Sequence, residues 1–106
     1  MVAGSPQQSG KQRRHLRGLA HALRPLAQVG SGGLTPAFGE AVDRLLQDHE
    51  LVKIRVPERA PVAPWLAGMW LATALDAAMV DLVGRCVLLY RPHPEKPRIV
   101  LPGAES

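Results

Sequence analysis

The residues best suited to chemistry in this sequence form a short glycine-rich segment, Gly30–Gly33, that reads GSGG. Three of its four residues lack a side chain, so a phosphate can approach the backbone N–H groups closely. Thr35 and Pro36 follow, and a hydroxyl residue before proline is typical of a helix start, whose N-terminus carries roughly half a positive charge. The segment therefore fits an anion site, although many ordinary strand-to-helix turns match the same GxxG pattern.

Positive charge is concentrated in the first third of the chain. Residues 1–36 contain no Asp or Glu but five basic residues: Lys11, Arg13, Arg14, Arg17 and Arg24. The remaining residues hold eight Lys/Arg against nine Asp/Glu, so the first third supplies all of the net charge of +4. This asymmetry indicates a polyanionic partner, either a nucleic acid or an anionic membrane surface. The alternative is an entirely cationic, solvated helix face that serves only solubility.

The other reactive side chains show no catalytic or metal-binding pattern. The histidines, His15, His21, His49 and His93, lack the three- or four-residue spacing that brings two ligands together on a helix. Cys86 lies in an apolar run, which favours a small core residue over a nucleophile. We therefore expect no cofactor, no metal site and no enzymatic activity.

The spacing of apolar residues predicts seven secondary-structure elements. Three segments have helical character: 10–23, 36–49 and 65–75. Four have strand character: 26–29, 51–56, 79–83 and 85–91. Strands alternating with helices predict an α/β domain, with helices packed on a mostly parallel or mixed sheet. In the strand at 51–56, Lys53 and Arg55 lie on the side opposite Val52, Ile54 and Val56.

The third predicted helix is apolar nearly all round and holds Trp65, Leu66, Met69, Trp70 and Leu71. Such a helix is either deeply buried or exposes an adhesive patch. The two tryptophans could stack on bases, but their setting favours packing, a protein partner or self-association. An alternative function is therefore a protein-interaction module that uses the segment Trp65–Leu71.

A series of short motifs, in this order, resembles the CRM domain family, which includes YhbY-type bacterial proteins and plant chloroplast splicing and ribosome-maturation factors. The first motif is SGKQRRHLR at 9–17, followed by Leu19-Ala20-His21. The glycine loop is matched by QVG at 28–30 and GLT at 33–35. Later matches are DHELVK at 48–53, VGR at 83–85, LYRP at 89–92 and KPRIVLP at 96–102.

The resemblance implies an αβαβαββ fold with a four-stranded mixed sheet. It also implies binding of structured RNA through the GxxG loop and the surrounding basic surface, and, for stand-alone bacterial members, association with precursors of the large ribosomal subunit. Two positions depart from the family. Ser31 replaces the usual loop lysine and so removes a phosphate contact, and the third helix lacks the acidic, amphipathic character of its relatives.

We therefore predict one RNA-binding domain at 9–102, with a flexible N-terminal tail at 1–8 and a C-terminal tail at 103–106. The predicted RNA-binding residues are Lys11, Arg13, Arg14, Arg17, Gly30, Ser31, Gly32, Gly33, Thr35 and Arg85. The expected partner is RNA, specifically ribosomal RNA of the large-subunit precursor, in the cytoplasm. No membrane partner is expected, because no apolar run approaches the ~20 residues that span a bilayer. An RNA-modifying enzyme and a DNA-binding module remain weaker alternatives.

Overall fold

The computed structural model describes residues 8–102, so nearly all of the predicted tails at 1–8 and 103–106 lies outside the described residues. The elements follow the predicted order. They are α1 (Gly10–Ala20), β1 (Ala27–Gln28), α2 (Pro36–His49), β2 (Leu51–Arg55), α3 (Pro64–Ala74), β3 (Ala78–Val83) and β4 (Cys86–Tyr90). The αβαβαββ prediction is therefore confirmed.

The four strands form one mixed sheet in the order β1-β2-β4-β3. β1 runs parallel to β2, whereas β2 and β3 are both antiparallel to β4. β1 is shorter than predicted, yet its pairing continues at both ends, because Leu26 N–H donates to Lys53 O and Val29 N–H donates to Arg55 O. The predicted four-stranded mixed sheet is confirmed.

Side-chain caps set the starts of the first two helices. Ser9 Oγ accepts from the N–H of Gln12 at 3.2 Å, and the Gln12 side chain accepts from the N–H of Ser9 at 3.1 Å. This reciprocal capping box satisfies two N–H groups that a helix start otherwise leaves free. Thr35 Oγ1 likewise accepts from Phe38 N–H at 3.1 Å, with Pro36 in the first turn. The predicted start of α2 is therefore confirmed.

The helices lie on both faces of the sheet. α2 and α3 cover one face, where Val42, Leu46 and Leu71 pack with Ile54 and Leu89. α1 covers the other face, where a second cluster forms. Its buried members are Leu16, Ala20, Leu51, Val80, Leu88, Tyr90 and Leu101. The sheet is thus the middle layer of three.

α1 leaves one row of its sheet face uncovered. Gln28, Arg55, Cys86 and Val83 are cross-strand neighbours in the four strands, and all but Cys86 are exposed. We call these four residues the open row. In β2 the side chains alternate, so Lys53 and Arg55 share the α1 face with buried Leu51. The predicted alternation of β2 is confirmed, and the structure adds that its basic side faces α1.

Glu50 joins the end of α2 to the C-terminal segment. It is a C-cap residue with a φ of 63°, and its buried carboxylate accepts from the N–H groups of His93, Arg98 and Ile99. Burial alone would raise the pKa of this carboxyl. The three N–H donors and the Arg98 charge outweigh burial and hold the pKa of Glu50 below its ordinary value.

Candidate nucleic-acid interface

The GSGG segment forms a tight turn at the end of β1. Gly33 N–H donates to Gly30 O at 3.0 Å, which closes the turn. Gly33 is buried with a φ of 74°, and a Cβ there would lie 3.1 Å from Pro61 Cγ. The conformation and packing of the turn therefore require glycine at position 33.

The other two glycines of the turn are under no such constraint. Gly30 and Gly32 are exposed, as is Ser31 between them. A Cβ at Gly30 would meet nothing within 4 Å, and one at Gly32 would lie 3.8 Å from the Thr35 side chain. Neither position needs glycine for packing, so their bare backbone leaves room for an anion to approach.

Thr35 stands where the turn enters α2. Its hydroxyl oxygen is engaged as the N-cap, but the hydroxyl hydrogen can still be donated to an anion. The 14-residue helix α2 begins at the next residue and directs the positive end of its dipole toward the turn. The turn thus combines exposed backbone with the partial positive charge of a helix N-terminus.

Arg85 lies at the same end of the sheet as the turn. Val29 is bonded to Arg55 O, and Val56 N–H in turn donates to Arg85 O at 2.8 Å. Two strand spacings, about 10 Å, therefore separate the turn from Arg85. The guanidinium donates Nε to Val56 O at 2.8 Å and Nη2 to Pro57 O at 3.2 Å, which leaves only its other N–H groups for a ligand.

The basic residues of α1 divide into two sets. Lys11, Arg13 and Arg14 are exposed. Arg17 is half exposed, and its Nε lies 2.6 Å from Asp81 Oδ2 of β3. The sequence of α1 holds no acidic residue, and the structure adds an acidic partner for Arg17 from a strand distant in sequence.

The ion pair brings Arg17 to the border of the open row. Asp81 is two residues from Val83, the β3 member of that row. An exposed pair of this kind adds little stability, so its main consequence is to position the guanidinium.

Lys53 and Arg55 are candidate site residues that the sequence did not indicate. Both lie on the α1 face of β2, and Arg55 is exposed within the open row, next to the turn. Their alternation was visible in the sequence. It did not reveal that α1 leaves this part of the sheet uncovered, since that depends on where the helix crosses the sheet.

Residues 9–91 match the model of the CRS1 / YhbY (CRM) domain. This chain belongs to the CRM family. An RNA-binding protein of Haemophilus influenzae is 35% identical over 94 residues, which cover 89% of this chain and 94% of the relative. Bacillus subtilis YqeI, named a probable RNA-binding protein, is 31% identical over 94 residues, covering 89% and 98% of the two chains.

A solved structure similar to this chain has the same fold. The solution structure of SAV1595 from Staphylococcus aureus, a candidate RNA-binding protein, superposes with a TM-score of 0.76 at 31% identity. The match covers 91% of this chain and 100% of that one. The predicted family and fold are thus confirmed.

Two further findings concern residues 8–102 alone. Within this range, no group of three His, Cys, Asp or Glu side chains is placed to hold a metal ion. Nor is any helix in the same range long and apolar enough to cross a membrane.

Proposed function

We propose that this chain is an RNA-binding protein that acts by binding and not by catalysis. The observation that carries the proposal is the meeting of the exposed GSGG turn, Arg55 and Arg85 at one end of the sheet. Arg17 borders the same surface through its pair with Asp81. The RNA-binding names of relatives that align over most of the chain support the same partner.

In this proposal, phosphates bind the N–H groups of the turn, and the α2 dipole strengthens the contact. Arg55, Arg85 and the exposed basic residues of α1 attract the neighbouring backbone. These are Lys11, Arg13 and Arg14. Phosphate contacts fix position without reading sequence, so selectivity comes from RNA shape or unstacked bases. Because Ser31 replaces the usual lysine, the strand residues Lys53 and Arg55 contribute a larger share of the binding free energy.

Neutralising the strand cations is expected to reduce the salt dependence of RNA binding. Arg55→Gln and Lys53→Gln should each lower the slope of log affinity against log salt by about 0.7, the value for one phosphate contact on a single strand. The measurement is a fluorescence-anisotropy titration with single-stranded RNA at several salt concentrations. Without RNA, the thermal unfolding midpoint of each variant should stay close to that of the parent chain.

Arg44→Gln is the matched control. Arg44 is an exposed arginine on α2, which packs on the other face of the sheet. Arg44→Gln removes the same charge as Arg55→Gln but lies outside the proposed surface. Its slope of log affinity against log salt should therefore remain that of the parent chain. Equal slope changes for Arg44→Gln and Arg55→Gln would mean that net charge alone governs binding, and the proposed surface would be wrong.

The finer proposal is that the RNA is ribosomal, in a precursor of the large subunit in the cytoplasm. It rests on the resemblance of the chain to stand-alone bacterial members of the family. Crosslinking in cells followed by sequencing of the attached RNA tests it. Enrichment of large-subunit precursor sequences is expected, and enrichment of unrelated RNA would refute this finer role while preserving RNA binding.

A second candidate function is protein interaction through α3. The outer side of this helix exposes Trp65 by 56%, Leu66 by 47%, Met69 by 53% and Trp70 by 42%. A contiguous apolar patch of this kind is typical of an interaction site. This function requires a protein assembly that survives nuclease and is dissolved by Met69→Glu. Sedimentation of the parent chain and of Met69→Glu, each with and without nuclease, distinguishes protein interaction from RNA binding.

A further inference from the structure

A cavity of about 340 Å³ opens beside the C-terminal end of α1, where β1 begins. Its walls are mostly aliphatic, with Leu19, Leu23 and Leu26 among them, and also include the imidazole of His49. Arg24 and Lys53 also line it. Apolar walls with a few polar groups at this volume are typical of sites for small ligands or parts of larger ones.

The leucines around the cavity are unusually exposed, and Leu23 and Leu26 lie in the segment that connects α1 to β1. Leu19 is 41% exposed, Leu23 39% and Leu26 47%. Leu16 and Ala20, by contrast, are buried against the sheet. The apolar surface thus continues past Ala20, where the helix ends, into the connecting segment. The three leucines line the cavity and do not fill it.

Charge distinguishes this cavity from the two larger ones. Those have volumes of about 940 and 600 Å³, and Asp43 lines both. The larger also includes Asp48 and Asp76. The residues that line the small cavity, all within the described part of the chain, include two cations and no carboxylate. Among the three, it is the one whose charge suits a group attached to phosphates.

The cavity lies on the same sheet face as the open row. Lys53 lines the cavity, and Arg55, two residues further along β2, belongs to the open row. Leu26 at the cavity and Gly30 at the turn are four residues apart in extended chain, or about 13 Å. An RNA strand held at the turn therefore reaches the cavity within a few nucleotides.

We propose that this cavity receives one unstacked nucleobase of the bound RNA. The leucines contact the faces of the base, while Arg24 and Lys53 contact the flanking phosphates. The inference rests on the proposed RNA binding and deepens it, because it supplies a base contact where the turn and the open row supply only backbone contacts. Single-stranded RNA is recognised largely through such splayed bases.

Two probes of equal length and charge test the proposal. One is fluorescently labelled oligoadenylate, and the other is the same ribose–phosphate chain without bases. The parent chain should bind oligoadenylate about tenfold tighter, because contact of one base with the leucines removes apolar surface from water. Leu23→Ser/Leu26→Ser should lose that difference while keeping its affinity for the abasic probe and its salt slope.

A second variant makes the wall of the cavity polar at one position and keeps a side chain of similar length. Leu23→Gln should also remove the preference for oligoadenylate, which keeps the test informative if the serine variant folds poorly. Leu82→Ser is the control, because Leu82 is 38% exposed on β3 and does not line the cavity. It should retain the parent chain's tenfold preference.

The outcomes separate this proposal from the one it rests on. If the parent chain binds neither probe at low salt, the proposed RNA binding fails and the base site fails with it. If both probes bind and the cavity variants keep the parent preference, only the base site is overturned. A cavity that instead accepts an aliphatic side chain of a protein partner gives this second result.

Discussion

Replacing Gly30 and Gly32 together with aspartate should weaken RNA binding about 100-fold at low salt. Each change places a carboxylate where a phosphate would approach the backbone, and a loss of about 1.4 kcal/mol per position gives that factor. Both sites have room for a side chain, so the fold should tolerate the variant. Anisotropy titration with single-stranded RNA measures the affinity, and circular dichroism on heating measures the stability.

The control for this prediction is Gly30→Ser/Gly32→Ser. It adds side chains of similar reach without charge, so it isolates the steric part of the effect and should weaken binding by about tenfold. RNA affinity equal to that of the parent chain in the aspartate variant, with an unchanged thermal midpoint, would remove the turn from the interface.

Gly33 does not belong in this test. Its positive φ and the contact of a new Cβ with Pro61 would strain the turn. A change there would reduce stability and RNA affinity together. The motif therefore contains two kinds of glycine. One holds the turn in shape, and the two exposed ones are available for a ligand.

Local signals explain why the elements were predictable from sequence. Thr35 is a hydroxyl cap directly before its helix, as the pattern indicated, and Ser9 has the same place before α1. Period-two alternation identified β2 because one of its sides is buried against α2 and α3. Each of these signals depends on residues within a few positions of one another, which is why no tertiary information was needed.

The candidate site was less predictable, because its parts meet across the sheet. Arg17 pairs with Asp81, and the Arg85 guanidinium donates to the carbonyl oxygens of Val56 and Pro57. Both contacts depend on strand order. The cavity depends on how the segment between α1 and β1 lies beside the sheet. The GSGG turn was the exception, since its glycines and cap are contiguous.

Glu50 shows most clearly what sequence patterns did not reveal. It lies in the DHELVK motif, which was recognised without a role for the acid. The structure joins this motif to KPRIVLP, because the carboxylate accepts from the N–H groups of Arg98 and Ile99. The Arg98 guanidinium donates back to the carbonyls of Gln47 and Asp48. This contact thus joins two motifs that are about 50 residues apart in sequence.

Glu50→Gln should lower the free energy of unfolding by about 2–4 kcal/mol. Glutamine has the same shape, but its amide removes the charge and turns an N–H donor toward backbone donors inside a buried site. Hydrogen bonds to charged groups contribute about 1.5–3 kcal/mol each and are not additive. In a domain of this size the midpoint should fall by roughly 10–20 °C. Urea unfolding at neutral pH measures the difference.

The same carboxylate should govern the acid limb of stability. Because its pKa is lowered in the folded state, its contribution is complete above the unfolded-state pKa of about 4.3. As pH falls through the lower folded-state pKa, that contribution is lost. The gap between the parent chain and Glu50→Gln should therefore be constant from pH 7 to about 5 and narrow below 4. Exposed Glu58→Gln, the control, should follow the parent chain throughout. A gap that stays constant at low pH would mean that the ionisation of Glu50 is not what anchors the C-terminal segment.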